Sequence, residues 1–158
     1  TLVKSSAASD VYKRQLKVAQ ELGPEAMLIA CDISEEWTSI GARYWKEAGV
    51  DDKIDLRIGP AAETLAGLPA DLPVDLAFID ADKGGYLQYL RLLVPRMSGR
   101  SVVLVDNVLW DGNVVDDEDQ SADTIALRNF NDAVLADPRL DVAMLPIGDG
   151  VSMITLSH

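Results

Sequence analysis

Short apolar runs and amphipathic stretches alternate along most of this chain, and the rhythm changes at turn residues. Leu16–Leu22 has the spacing of the last turns of a helix, closed by Gly23-Pro24. Ala26–Cys31 contains no polar residue and predicts a strand running into Asp32. Ser34 can cap a following helix with Trp37, Ile40, Tyr44, Trp45 and Ala48 on one apolar face and Gly49 as its stop. Ile54–Ile58 predicts a strand, and Gly59-Pro60 opens a short helix to about Leu68. Pro69 and Pro73 bracket a loop before strand Val74–Ile79. The next helix places Tyr86, Leu87, Leu90, Leu93 and Val94 inward and ends at Pro95. Strand Ser101–Val105, an acidic loop over Asn113–Asp123, and a helix Thr124–Ala136 with Ile125, Leu127, Phe130 and Val134 inward follow. Leu140–Leu145 and Val151–Leu156, joined by Pro146-Ile147-Gly148-Asp149-Gly150, read as a closing antiparallel pair.

This alternation predicts a doubly wound α/β fold, a mostly parallel sheet finished by a C-terminal antiparallel hairpin. Leu76–Ile79 and Val102–Val105 hold no polar residue, which predicts strands buried on both faces. Thr1–Gln15 breaks the pattern: it is polar, Ser-rich and basic through Lys4, Lys13 and Arg14, without a helical or strand period. It reads as a non-native or disordered leader, leaving 16–158 as one domain of ordinary size.

Composition narrows the function. With 48% hydrophobic residues the chain can build a sizeable core, and no run reaches the ~18–20 apolar residues of a membrane span. The net charge of −12 comes without a basic stripe, which argues against a nucleic-acid partner and leaves solubility as the plain meaning of the acidity. Cys31 is the single cysteine, so the chain can form no internal disulfide and a reducing cytoplasm is the default location. Its apolar setting suggests a small buried hydrophobe. The one histidine, His158, is the last residue, which removes histidine triads and His-rich zinc sites from consideration.

The chemistry gathers where strands end, since ligands of open α/β sheets bind beyond the carboxyl ends of the strands. Asp80 and Asp106-Asn107 follow two such strands. Two carboxylates and an amide oxygen suit a hard cation such as magnesium, and adjacent strands ~4.8 Å apart let their ends share an ion. The competing reading makes both aspartates helix caps. Lys83 lies three residues past Asp80, where a nearby cation and burial would lower its pKa toward that of a base; otherwise it is a snorkelling surface lysine. Asp32 is placed to accept hydrogen bonds from ribose hydroxyls, or is a solvated strand-end carboxylate. Trp110 is either an aromatic wall over a planar substrate or a core side chain.

Ile79-Asp80-Ala81-Asp82-Lys83 and Val105-Asp106-Asn107-Val108-Leu109-Trp110, with Gly59-Pro60-Ala61 before and Pro146–Gly150 after, resemble the cation-dependent O-methyltransferases. These are the caffeoyl-CoA O-methyltransferase group and bacterial relatives, with catechol O-methyltransferase more distant. The resemblance spans about Ala26 to Leu156. It implies a Rossmann-like, class I S-adenosylmethionine methyltransferase fold with seven strands, the last antiparallel. It also implies Mg2+ (or Mn2+ or Ca2+) at Asp80, Asp106 and Asn107, and Lys83 as catalytic base. Asp32, Ile33, Gly59 and Ala61 fall in cofactor-binding segments, and Trp110 and Asp149 where the family meets a small phenolic substrate. The full-length family form can be a homodimer.

One departure stands out. The family's first strand leads into a glycine-rich turn that holds the methionine half of the cofactor, and no such turn is present ahead of Leu16. Gly84-Gly85 follows the wrong strand to replace it. The chain therefore reads as an N-terminally truncated copy lacking the first strand and its loop, with weak or absent cofactor binding. Two other classes compete: a nicotinamide-dependent oxidoreductase, which Asp32 also suits but whose glycine fingerprint is absent, and a non-enzymatic magnesium-binding receiver domain, against which the closing hairpin and the Asp-Asn pair argue.

Overall fold

The computed structural model describes residues 2–4 and 8–158. Its elements run β1 (Leu2–Lys4), α1 (Ala8–Glu21), β2 (Leu28–Asp32), α2 (Glu35–Glu47), β3 (Ile54–Ile58), α3 (Ala61–Gly67), β4 (Leu76–Ile79), α4 (Tyr86–Leu93), β5 (Val102–Asp106), α5 (Ala122–Ala136), β6 (Leu140–Leu145) and β7 (Val151–Leu156). β1, β2 and β3 form one parallel ladder, with Leu28 opposite both Leu2 and Ile54. The other ladder has the order β4-β5-β7-β6. β4 and β5 are parallel, and β7 runs antiparallel to both of its neighbours. The backbone of β1 runs alongside that of β4, so the order across both ladders is 3-2-1-4-5-7-6. Among the described residues these are seven strands with one reversed, the doubly wound arrangement expected.

The first strand departs from expectation. Leu2–Lys4 fills the place between β2 and β4, and α1 runs unbroken from Ala8 to Glu21, so the last turns expected from Leu16 belong to a helix that begins within the stretch read as a leader. The chain direction before Leu16 thus follows the fold, although no glycine occurs between Lys4 and Gly23.

The helices form for local reasons. Ser34 caps α2 by accepting from the Trp37 amide (3.3 Å), and Glu35, Glu36 and Lys46 complement the helix dipole. Ser121 caps α5 in the same way, accepting from the Thr124 amide (3.4 Å). The apolar stripe of α2 is rotated from its predicted position. Thr38, Gly41 and Trp45 are buried, while Trp37, Ile40 and Tyr44 lie on the exposed side with Ala48. The small residues decide this: Gly41 and Thr38 let the helix approach α1, where Trp45 packs with Ala19 and Val50. In α5 the same preference turns Thr124 inward with Leu127, Phe130 and Val134, leaving Ile125 exposed.

The main core is built on one face of the second ladder. Ala77, Ile79, Val103, Val105 and Ile154 pack there against Tyr86, Leu90 and Leu93 of α4 and Leu127, Phe130 and Val134 of α5. The alternate residues Leu76, Phe78, Val102 and Leu104 are only half-buried, so β4 and β5 are not buried on both faces as predicted. β2 is: Leu28, Ile29, Ala30 and Cys31 are all buried, lying between α1 on one side and α3 on the other. No helix among the described residues is long and apolar enough to cross a membrane.

Candidate active site

The carboxyl ends of β2, β3, β4 and β5 open onto one cleft of about 1010 Å3, a volume at the top of the usual ~300–1,000 Å3 range for small-molecule sites. At one end it is lined by Asp32, Ile33, Trp37, Pro60 and Ala61, at the other by Asp80, Lys83, Asn107, Trp110 and Asp123. Asp32 is the last residue of β2. Its Oδ1 accepts from the Ser34 amide (2.8 Å) and its carbonyl accepts from the Gly59 amide (2.8 Å). Gly59, at φ 142°, thus stands behind the lining and lets the chain turn sharply into α3. Ile33 is 77% exposed on the rim.

Lys83 organises the other end. It is 7% exposed, not a snorkelling surface lysine, and opens the tight turn ahead of α4. Its Nζ donates to the Tyr86 hydroxyl (2.5 Å) and to Asn107 Oδ1 (3.1 Å), and lies 5.1 Å from the centre of the Trp110 ring. Burial, the largest influence, lowers its pKa, against the opposing pull of Asp80, Asp106, Asp123 and Asp149. Burial likewise pushes the Tyr86 phenol up, helped by Asp80 and Asp106. Neither aspartate acts as a helix cap: Asp106 Oδ1 accepts from the Asn107 amide (2.8 Å), and no side chain caps the turn at Lys83.

Past β5 the chain enters left-handed backbone at Asn107 (φ 58°), Trp110 (φ 50°), Asp111 (φ 53°) and Gly112 (φ 86°). Non-glycine residues held there cost of order 1–3 kcal/mol each and cluster at functional sites. The segment is fixed by the hairpin turn: the Val108 amide donates to Gly150 O, Leu109 to Asp149 O, and Asp111 to Asp149 Oδ1 (2.6 Å). Asp149 therefore holds the Trp110 loop in place, and its charge reaches Lys83 without its side chain lining the cleft. Trp110 is half-buried, packing against the core on one side and lining the cleft.

Asn107 meets Lys83 directly and the charges of Asp80 and Asp106 act on its amine, at the far end of the cleft from Asp32 and Ala61. Three contributors escaped the sequence reading. Tyr86, three positions after Lys83, fits the apolar stripe of its helix, which masks its polar role in the sequence. Asp82 and Tyr89 line the cleft, joined by a 2.6 Å hydrogen bond from the Tyr89 hydroxyl to Asp82 Oδ1. The i, i+3 step from Lys83 to Tyr86 was the legible signal. Asp32, Asp80, Asp82 and Asp123 line the cleft against one cation, Lys83, among the described lining residues. No three His, Cys, Asp or Glu side chains form a ready ligand cluster among the described residues, so a cation there would need the Asn107 amide oxygen beside two carboxylates.

The doubly wound sheet thus carries an acidic, lysine-bearing crevice at its carboxyl edge, and comparison with known proteins assigns the family. A family model described as O-methyltransferase matches residues 11–156. The Dictyostelium discoideum protein named "Probable caffeoyl-CoA O-methyltransferase 2" is 40% identical over 144 residues, 89% of this chain and 62% of the relative. Caffeoyl-CoA O-methyltransferase of Medicago sativa is 36% identical over 148 residues, 87% of this chain and 60% of the relative. The crystal structure of SAH-bound Podospora anserina methyltransferase PaMTH1 superimposes with a TM-score of 0.83 at 26% identity, covering 99% of this chain and 71% of that one. The chain belongs to the O-methyltransferase family. It spans about three fifths of the length of the curated relatives it matches. Family membership displaces both the oxidoreductase and the receiver-domain alternatives.

Proposed function

We propose that the cleft serves divalent-cation-dependent transfer of a methyl group from S-adenosylmethionine to one of two neighbouring hydroxyls on a catechol-like small molecule. The observation that carries this reading is the grouping at Lys83: a buried amine 3.1 Å from Asn107 Oδ1, within the field of Asp80 and Asp106. Among the described lining residues, four aspartates against one lysine leave the cleft short of positive charge, which the cation would supply. Asp80, Asp106 and Asn107 would hold it, and an all-oxygen set favours Mg2+, with Mn2+ or Ca2+ as hard alternatives. Bound there, the cation supplies charge that stabilises an ionised acceptor oxygen.

Asp32, with Ile33 and Ala61 beside it and Gly59 shaping the turn, would bind the nucleoside end of the cofactor. PaMTH1, which shares the fold, carries S-adenosylhomocysteine. Bound there, S-adenosylmethionine supplies an electrophilic methyl that leaves its sulfur for the acceptor oxygen. Lys83 takes the proton from the acceptor hydroxyl at Nζ, and the burial that lowers its pKa acts in the direction that role needs. Trp110 lies over the amine and would face a planar ring, with Asp149 keeping its loop in register. The remaining contribution is alignment. The caffeoyl group in the relatives' names is itself a catechol, which supports an acceptor of that class. A reducing cytoplasm suits the single buried thiol of Cys31, and pairing into homodimers belongs to the same family-based reading.

The test is transfer of labelled methyl from millimolar S-adenosylmethionine to 3,4-dihydroxybenzoate, with Mg2+ and with a chelator. Product should form only with the cation, 4-hydroxybenzoate should not react, and Lys83→Met should lose ~10²–10⁴ in rate. Product formation indifferent to chelation, or none at saturating substrates, would overturn the reading.

A further inference from the structure

We infer that Tyr86 is a positioning residue whose hydroxyl aims the Lys83 amine into the cleft; this rests on the reading of Lys83 as proton acceptor. Tyr86 is fully buried, and its ring meets Phe130 edge to face at 5.7 Å and 81°, which fixes where the hydroxyl sits. That oxygen lies 2.5 Å from Lys83 Nζ and 3.0 Å from the carbonyl oxygen of Asp106.

A phenol has one proton, and a carbonyl can only accept. The Tyr86 proton is therefore committed to Asp106 O, so toward Lys83 the phenol oxygen can only accept. Nζ has three positions besides its bond to Cε. Tyr86 takes one and Asn107 Oδ1 takes the second. That leaves the third for a ligand, on an amine that lines the cleft 5.1 Å from the centre of the Trp110 ring. The same phenol also grips the backbone of Asp106, the residue preceding Asn107. One buried hydroxyl thus couples the direction of the amine to the placement of the β5 end. This is the logic of a base oriented by a third group, and it differs from a packing role, which the ring alone would satisfy.

The variant is Tyr86→Phe, which keeps the ring and removes one oxygen. Two measurements on the full chain decide the matter. In the first, 15N spectra of the lysine amines, with Lys83 assigned by its absence in Lys83→Met, should show slow proton exchange with water at Lys83. In Tyr86→Phe that exchange should quicken severalfold while the exposed Lys46 stays unchanged. In the second, kcat for catechol methylation should fall roughly 10- to 100-fold, as misaligned catalytic groups do, with KM nearly unaltered. Unchanged Lys83 exchange, or wild-type kcat in Tyr86→Phe, would overturn the inference. A wild-type chain that transfers no methyl refutes the proposed reaction instead, and the amine spectra still rule on Tyr86. Global unfolding of the variant would shift Lys46 as well and would count against a purely positioning role.

Discussion

Arg128 should be the side chain on which the acidic loop after β5 depends. From α5 its Nε donates to Val114 O (2.9 Å), Nη1 to Asp119 O (2.9 Å), and Nη2 to the carbonyls of Asn113 (3.0 Å) and Asp116. Four backbone acceptors from one surface loop converge on one guanidinium. A hydrogen bond from a charged donor is worth about 1.5–3 kcal/mol net, but these carbonyls regain water when the loop lifts, so the loss on Arg128→Ala should be about 2–4 kcal/mol. In a domain of this size that corresponds to a fall of roughly 5–15 °C in Tm. Arg128→Lys should recover less than half, because a compact ammonium lacks the planar fork that reaches carbonyls on both sides. Thermal unfolding followed by circular dichroism gives the stability, and amide hydrogen exchange over residues 113–119 locates the change. A cost under ~1 kcal/mol for Arg128→Ala, the range of an ordinary surface substitution, or wild-type stability in Arg128→Lys, would refute this role for Arg128. Unchanged exchange in the loop would also refute it.

Gly85→Ala should destabilise the chain by about 1–3 kcal/mol, since the new Cβ would clash with the hydroxyl-bearing edge of the Tyr89 ring and disturb its bond to Asp82; a wild-type urea midpoint would contradict this. The Cys31 thiol, pushed by burial from 9.0 to about 11, holds its proton longer in the folded than in the unfolded chain. Its contribution is complete below pH 9 and is lost as pH rises through 11, at most roughly 3 kcal/mol. Urea titrations at stepped pH should show that decline shrink in Cys31→Ala, and an identical decline in both proteins would sink the assignment. Calorimetric titration with S-adenosylmethionine should give binding weaker than micromolar, because the sequence holds no glycine between Lys4 and Gly23. Micromolar affinity would show that other residues of the cleft suffice.

The sheet and the grouping of Asp80, Asp106, Asn107 and Lys83 were legible because strand ends and turn residues are local signals. Asp32 ends β2, and Pro95 and Gly49 close helices, for reasons contained within a few residues. The facing of α2 was not legible. Hydrophobicity favours Trp37, Ile40 and Tyr44 as the inner stripe, but close approach to α1 rewards the smaller Thr38 and Gly41. The role of Tyr86 was hidden for a similar reason: its ring satisfies the apolar pattern, and only the tertiary position of Asp106 O reveals what the hydroxyl meets. The half-covered faces of β4 and β5 also depend on which layers lie over them, which an unbroken apolar run does not encode.

The rotation of α2 also sorts the chain's three tryptophans into three environments. Trp45 is 3% exposed in an apolar cluster, Trp37 is 49% exposed at the Asp32 end of the cleft, and Trp110 is half-buried at the other end. Their emission should separate by colour, with Trp45 blue and Trp37 red. The protein thus holds native fluorophores at both mouths of its crevice and a third that responds only when the fold is lost.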